Sequence, residues 1–330
     1  MSLGPALMLP YAARLISLCL ATGAAVYAVA ATAAHVGAPV LLHRIGRRET
    51  SDPRHSAALV LHLRLAPLSL AALAVVVVCL PSYVFLEPRG RGPEAIGWVC
   101  GALAVAGAVL LAVILARSSL GAARAWRFGR RLRRQGHLRQ ADGLALRVLP
   151  APAPALAIAG IWRPQLVASE AALHCLGPDQ LHAALRHEQA HQHARDNAKR
   201  LLLGAAPLPG AAARALEARW ARLAEWAADD WAVTGDAAQS LTLASALLAV
   251  ARLRAHPPAR WSPCVSTLDA FSGQDLAERI ARLLRCDAGT AAAPPRRRWV
   301  GYAVLGALLW ATLQPTTLSV AHIALERLLH

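Results

Sequence analysis

The chain has 330 residues, of which 56% are hydrophobic and 16% charged, and a formal net charge of +16. That balance excludes an ordinary soluble enzyme and fits a membrane protein carrying a soluble part. Nearly all the positive charge is arginine, with Lys199 as the one lysine. It clusters beside apolar runs, where membrane topology explains it better than a nucleic-acid partner does.

Residues 15–34 form an apolar run of the roughly 20 residues needed to cross a bilayer. The small-residue stretch Ala31-Thr32-Ala33 could end a cleaved signal peptide, but the only early charge is Arg14. An uncleaved span is the better reading. A polar loop, 43–55, carries Arg44, Arg47, Arg48 and Arg54. Residues 65–86 and 96–116 are the second and third spans, separated by a loop in which Glu87 and Glu94 match Arg89 and Arg91. Seven arginines follow between Arg117 and Arg134, and Arg296, Arg297 and Arg298 precede a fourth span at 299–318. The positive-inside rule puts 43–55 and 117–298 in the cytoplasm of a bacterial-type inner membrane. The N-terminus, the 87–94 loop and the tail lie outside. The six cysteines show no metal or redox spacing and read as structural filler.

The expected fold is therefore an α-helical membrane protein with four transmembrane helices and an inserted α+β domain at 117–298. Residues 127–137 predict a basic helix near the membrane surface. Residues 144–149 predict a strand ended by Pro150. Residues 156–161 and 165–167 predict a hairpin around Trp162-Arg163-Pro164. Gly177-Pro178-Asp179 starts a helix that should run to about 203. Further helices are expected at 211–233, 239–255 and 275–285, the last with Leu276, Ile280, Leu283 and Leu284 on one side.

The helix after Pro178 carries His187-Glu188-Gln189-Ala190-His191. On a helix, His187 and His191 stand one turn apart with Cβ atoms roughly 5–6 Å from each other, so both rings can meet one metal ion. Glu188 stands beside them, where a carboxylate can take a proton from the attacking water. A catalytic zinc usually has three protein ligands. Glu225 is the candidate third, on a helix able to pack antiparallel to the first. Asp229, one turn on, could accept a hydrogen bond from a ligand histidine. Glu217, His182 and His193 are set aside as ligands by their positions. Asp196 and Asn197 are read as serving helix-to-helix hydrogen bonds.

Five segments occur in order. They are Arg163-Pro164-x-x-Val167-x-Ser169, Leu181-x-x-x-Leu185-x-His187-Glu188-x-Ala190-His191, Arg195-Asp196-Asn197, Glu225-x-x-Ala228-Asp229-Asp230 and Arg279-Ile280-x-x-Leu283-Leu284. This set resembles the BlaR/MecR-type integral-membrane zinc metallopeptidases, whose catalytic domain is zincin-like (gluzincin). The resemblance implies one Zn2+ held by His187, His191 and Glu225, with Glu188 catalytic. It implies cleavage of a protein substrate, often a transcriptional repressor of winged-helix type. HtpX-like membrane quality-control peptidases share both zinc motifs and are the nearest alternative. A catalytically silent membrane scaffold is the alternative of another class. The chain stops at His330, so the penicillin-binding sensor domain of the family's transducers is not expected. Residues 285–295, rich in Ala and Pro, are a candidate self-cleavage linker.

Overall fold

A computed structural model describes residues 7–46, 52–88, 94–141, 143–150, 156–208, 210–252, 265–267, 273–285 and 314–329. Among the described residues, three helices are long and apolar enough to cross a membrane. The first is α1 (Tyr11–Gly46). The second joins α2 (Pro53–Leu73), a π-helical turn (Ala74–Cys79) and α3 (Leu80–Leu86) into one rod. The third is α4 (Trp98–Gln135). A two-stranded ribbon, β1 (Leu7–Leu9) against β2 (Glu94–Ile96), lies beside the start of α1 and of α4.

Each rod overshoots the span expected from apolarity. The 36 residues of α1 make about 54 Å of helix, against about 30 Å of hydrocarbon. The predicted loop 43–55 is correspondingly shorter. Its first residues finish α1, and Asp52 already caps α2, accepting from the His55 N–H at 2.9 Å with Pro53 in the first turn. Likewise, the predicted basic helix 127–137 is, as far as Gln135, the far end of α4, and His137 already starts a strand. Arginine leaves the hydrocarbon without leaving the helix, because it is a good helix former. The π-helical turn sits just before Pro81, whose ring and missing N–H interrupt the α ladder. At Gly107 of α4 any Cβ would collide with the Leu20 backbone of α1, so these two helices meet backbone to backbone.

Beyond α4 comes a five-stranded sheet with order β3-β4-β6-β5-β7. Its strands are β3 (His137–Ala141), β4 (Leu144–Leu149), β5 (Leu156–Ala159), β6 (Gln165–Ser169) and β7 (Val265–Thr267). The predicted hairpin is present as β5 and β6, antiparallel from Leu156↔Ala168 to Ala159↔Gln165. Gly160 opens its turn at φ 101°, a conformation that favours glycine. β4 and β6 pair in parallel. Strands β3 and β7 were not expected from the sequence.

The remaining helices are α5 (Glu170–Cys175), α6 (Pro178–Ala194), α7 (Asp196–Ala205), α8 (Ala211–Val233), α9 (Ala237–Arg252), α10 (Gly273–Leu284) and α11 (Pro315–Leu329). The helix expected to run unbroken to 203 is two. Arg195 adopts a left-handed conformation, φ 54° and ψ 41°, and ends α6. Most of the predicted fourth span, 299–313, lies outside the described residues, as does nearly all of the 285–295 linker. Where the tail was expected, α11 continues past Leu318.

Two cores position the rest. In one, Leu146, Val148, Ile158 and Leu166 of the sheet pack against Leu185 of α6 and Ala246 and Val250 of α9. In the other, Leu216, Trp220 and Leu223 of α8 pack against Ala38 and Ile45 of α1 and Ala57 and Val60 of α2. Polar contacts fix the second core. The buried Arg64 of α2 donates from Nε and Nη2 to Glu217 Oε1 of α8 at 3.0 and 2.6 Å, and from Nη2 to the Ala206 carbonyl at 2.9 Å. Tyr27 Oη donates to the Pro207 carbonyl at 2.7 Å. Helix α8, which carries Glu225, is thus seated directly on the long apolar rods.

Candidate metal centre

The α6 helix starts at Pro178, with the Gly177 N–H held by Gln180 Oε1 at 3.1 Å. Its inner side presents His187, Glu188 and His191, each 2% exposed or less. The α8 helix crosses it and presents Glu225 and Asp229, one turn apart and equally buried. Ligand atoms of His187, His191 and Glu225 lie within 4.8 Å of one another, a group able to hold a metal ion.

The spacing of these atoms tests the fit. The two Nε2 atoms are 3.2 Å apart. Glu225 Oε2 is 3.3 Å from His187 Nε2, and Glu225 Oε1 is 3.4 Å from His191 Nε2. A tetrahedral ion bound at about 2.0–2.2 Å sets its N and O donors about 3.3–3.5 Å apart. The carboxylate distances are longer than a good charged hydrogen bond, and both Glu225 oxygens lack a hydrogen-bond partner despite burial. Buried carboxylate oxygens are costly to leave unpaired. A cation on the Nε2 side satisfies them, so the residues fit the ion.

Each outer nitrogen has a carboxylate beside it, and at His191 the pair forms a hydrogen bond. His191 Nδ1 donates to Asp196 Oδ2 at 2.8 Å, and Asp229 Oδ1 lies 2.9 Å from His187 Nδ1. A carboxylate at Nδ1 keeps the proton there and turns the Nε2 lone pair to the centre. Asp229 stands beside His187 Nδ1, but the pair does not form a hydrogen bond, so the expected acceptor role is not seen in this geometry. Asp196 makes the expected helix-to-helix hydrogen bond, because the break at Arg195 makes it the first residue of α7 while His191 belongs to α6. Lys199 Nζ holds the other oxygen, Oδ1, at 2.8 Å. Asn197 donates to the Ile158 and Gly160 carbonyls at 3.0 and 2.9 Å, tying α7 to β5 rather than to another helix.

Two arginines complete the centre. Arg279 of α10 is buried and grips Asp229 through Nε and Nη2 at 2.9 and 2.6 Å, with Nη1 3.3 Å from Glu225 Oε2. Arg200 of α7 brings Nη2 to 3.7 Å from Glu225 Oε1. Its Nε and Nη2 are buried without a hydrogen-bond partner.

Charge and burial compete here. Burial pushes the Glu188 carboxyl up to about 7, against the pull of His191 and His187. Burial also opposes charge on Glu225, yet His191, His187 and Arg279 hold it well below the usual carboxylate range. Burial alone would lower both rings. Asp229 and Glu225 outweigh it at His187, and Glu225 and Asp196 raise His191 to about 10. Both shifts favour protonated rings in the metal-free site, so metal binding there competes with protons.

Neither a scan against protein-family models nor a search of curated proteins returned a match. The case for the centre thus rests on its own geometry. The residues set aside stand elsewhere. Glu217 is taken by Arg64. His182 is exposed, and so is His193, which lies beside the Trp231 ring at 5.3 Å. Sequence reasoning gave no role to Arg200 and none in the site to Arg279. The Arg279-Ile280 segment and its apolar stripe were the only signal for the latter.

Asp196→Ala should weaken metal binding about 10–100-fold, the usual cost of losing a ligand-orienting carboxylate. Competition titration with a chelator of known affinity checks this. Unchanged affinity would mean that Asp196 only braces α7.

Proposed function

We propose that the chain is an integral-membrane zinc endopeptidase of the BlaR/MecR type, with four spans and a zincin-like domain at 117–298. The observation that carries the reading is the convergence of His187, His191 and Glu225 beside the buried Glu188. Two imidazoles and a carboxylate are the donor set of catalytic zinc sites that keep one position open. Zinc held there supplies Lewis acidity to the substrate carbonyl and to water. Glu188 accepts the proton of the attacking water and returns it to the leaving amine. Asp229 and Asp196 keep the two imidazoles in the ligating tautomer. Arg200, whose Nη2 stands 3.7 Å from Glu225 Oε1, is the cation assigned in this reading to an oxygen of the bound peptide. The arginine-rich segments favour a cytoplasmic domain, and hence a cytoplasmic protein substrate such as a repressor.

The test has two arms on the full-length chain. Purified in detergent, Glu225→Ala should hold one zinc per chain fewer than the wild type by elemental analysis. In cells, protein N-termini present with the wild type should be missing with Glu188→Gln. Equal zinc in both proteins defeats the ligand assignment. Identical N-termini with zinc retained defeat the protease.

A further inference from the structure

A second group of metal-type donors stands at the other end of the long rods. Glu87 ends α3, and His322 and Glu326 lie one turn apart on α11. Their ligand atoms fall within 4.8 Å of one another. Glu87 is 23 residues beyond Arg64 on a continuous helical rod, a separation of about 34 Å. Arg64 is where α8 docks, so this group is remote from His187 and uses none of its residues.

We propose that Glu87, His322 and Glu326 form a second binding site, for a divalent transition cation of the zinc class. His322 Nε2 stands 3.6 Å from Glu87 Oε2 and 3.6 Å from Glu326 Oε1. These distances are too long for hydrogen bonds. They are near the spacing, about 3.3–3.5 Å, of donors around one tetrahedral ion. One nitrogen with two carboxylate oxygens is a donor set such a cation takes.

The surroundings orient these donors. The Glu87 side chain is 3% exposed, and its second oxygen, Oε1, faces Arg14 Nη1 of α1 at 3.6 Å. A partner on one oxygen turns the other toward His322, as outer partners do for metal-ligating carboxylates. The α11 helix is seated independently of the three donors. Ser82 Oγ donates to the Leu318 carbonyl at 3.5 Å, and Leu325 packs among Leu18, Cys79 and Tyr83. Bound there, the ion ties α11 to the end of the second rod and, through Arg14, to the first. By the arginine distribution this end faces the outside.

The experiment counts Co2+ bound to the full-length protein in detergent, by equilibrium dialysis and elemental analysis. The wild type should hold two ions per chain. His322→Ala should hold one, His187→Ala one, and the double variant none. Glu326 is 40% exposed, so Glu326→Gln gives the same count should His322→Ala fold poorly. His322→Ala or Glu326→Gln matching the wild type overturns the site, as does a wild type holding one ion that His187→Ala loses. Because His187→Ala removes only the first site, its result is read apart from the protease assignment.

Discussion

Glu188→Gln should abolish proteolysis and leave the metal in place. General-base catalysis contributes about 10²–10⁴-fold, and glutamine keeps the shape of the side chain while losing its basicity. Glu188 is not one of the three donors around the Nε2 atoms, so zinc content should match the wild type. The fold should not suffer either. In the metal-free protein, burial holds the carboxyl at about 7, above its ordinary value of 4.5. Between those two pH values the folded chain keeps a proton that the unfolded chain has released. Wild-type stability therefore falls as pH rises through that window, and the glutamine variant does not share the fall. Above about 7 the variant should be the more stable of the two. Thermal melts of both metal-free proteins from pH 4 to 8 test the sign, and zinc analysis with a cleavage assay tests the rest. A variant that still cleaves removes Glu188 from the base role. One that loses zinc makes it part of the binding set.

The parts of this protein legible in its sequence are those with local signals. Helix α8 occupies 211–233 as expected, because the breaker run from Pro207 to Gly210 marks its start. His187, His191 and Glu225 could be named because the spacing on α6 is diagnostic and leaves one ligand to find. The helix break at Arg195 could not be read, since a left-handed arginine has no composition cue of the kind glycine gives. Its consequence, the turn of Asp196 toward His191, was hidden with it. Strand β3 is largely exposed and polar, so it lacks the alternation that marks a half-buried strand. The seat of α8 on the rods depends on Arg64 finding Glu217, 153 positions away. No local pattern encodes such a pairing. Arg64 itself carries no signal in the sequence that would single it out.

Arg279→Met should be the most destabilising change at the centre, and zinc should partly repair it. Asp229 and Glu225 are both held ionised inside the protein. For each, burial opposes the charge and Arg279 is among the groups that offset it. Methionine fills similar space without charge, so two buried carboxylates lose their guanidinium together. Removing one partner of a buried ion pair typically costs about 3–5 kcal/mol. Part of that cost should be met by protonation, with the two acids taking up protons at higher pH than in the wild type. Zinc changes the balance. A divalent cation at the Nε2 side compensates Glu225 directly and draws the His187–Asp229 pair into its field. The variant also lacks the positive charge that stands 3.3 Å from Glu225 Oε2 and opposes a cation there. The melting temperature should drop sharply in the metal-free variant, and the gap from wild type should narrow when zinc is added. Equal gaps with and without zinc would show that Arg279 braces α10 against α8 and takes no part in the charge balance of the site. Arg279→Lys separates charge from geometry. It keeps the cation but loses the two-point grip on Asp229, so it should recover only part of the stability.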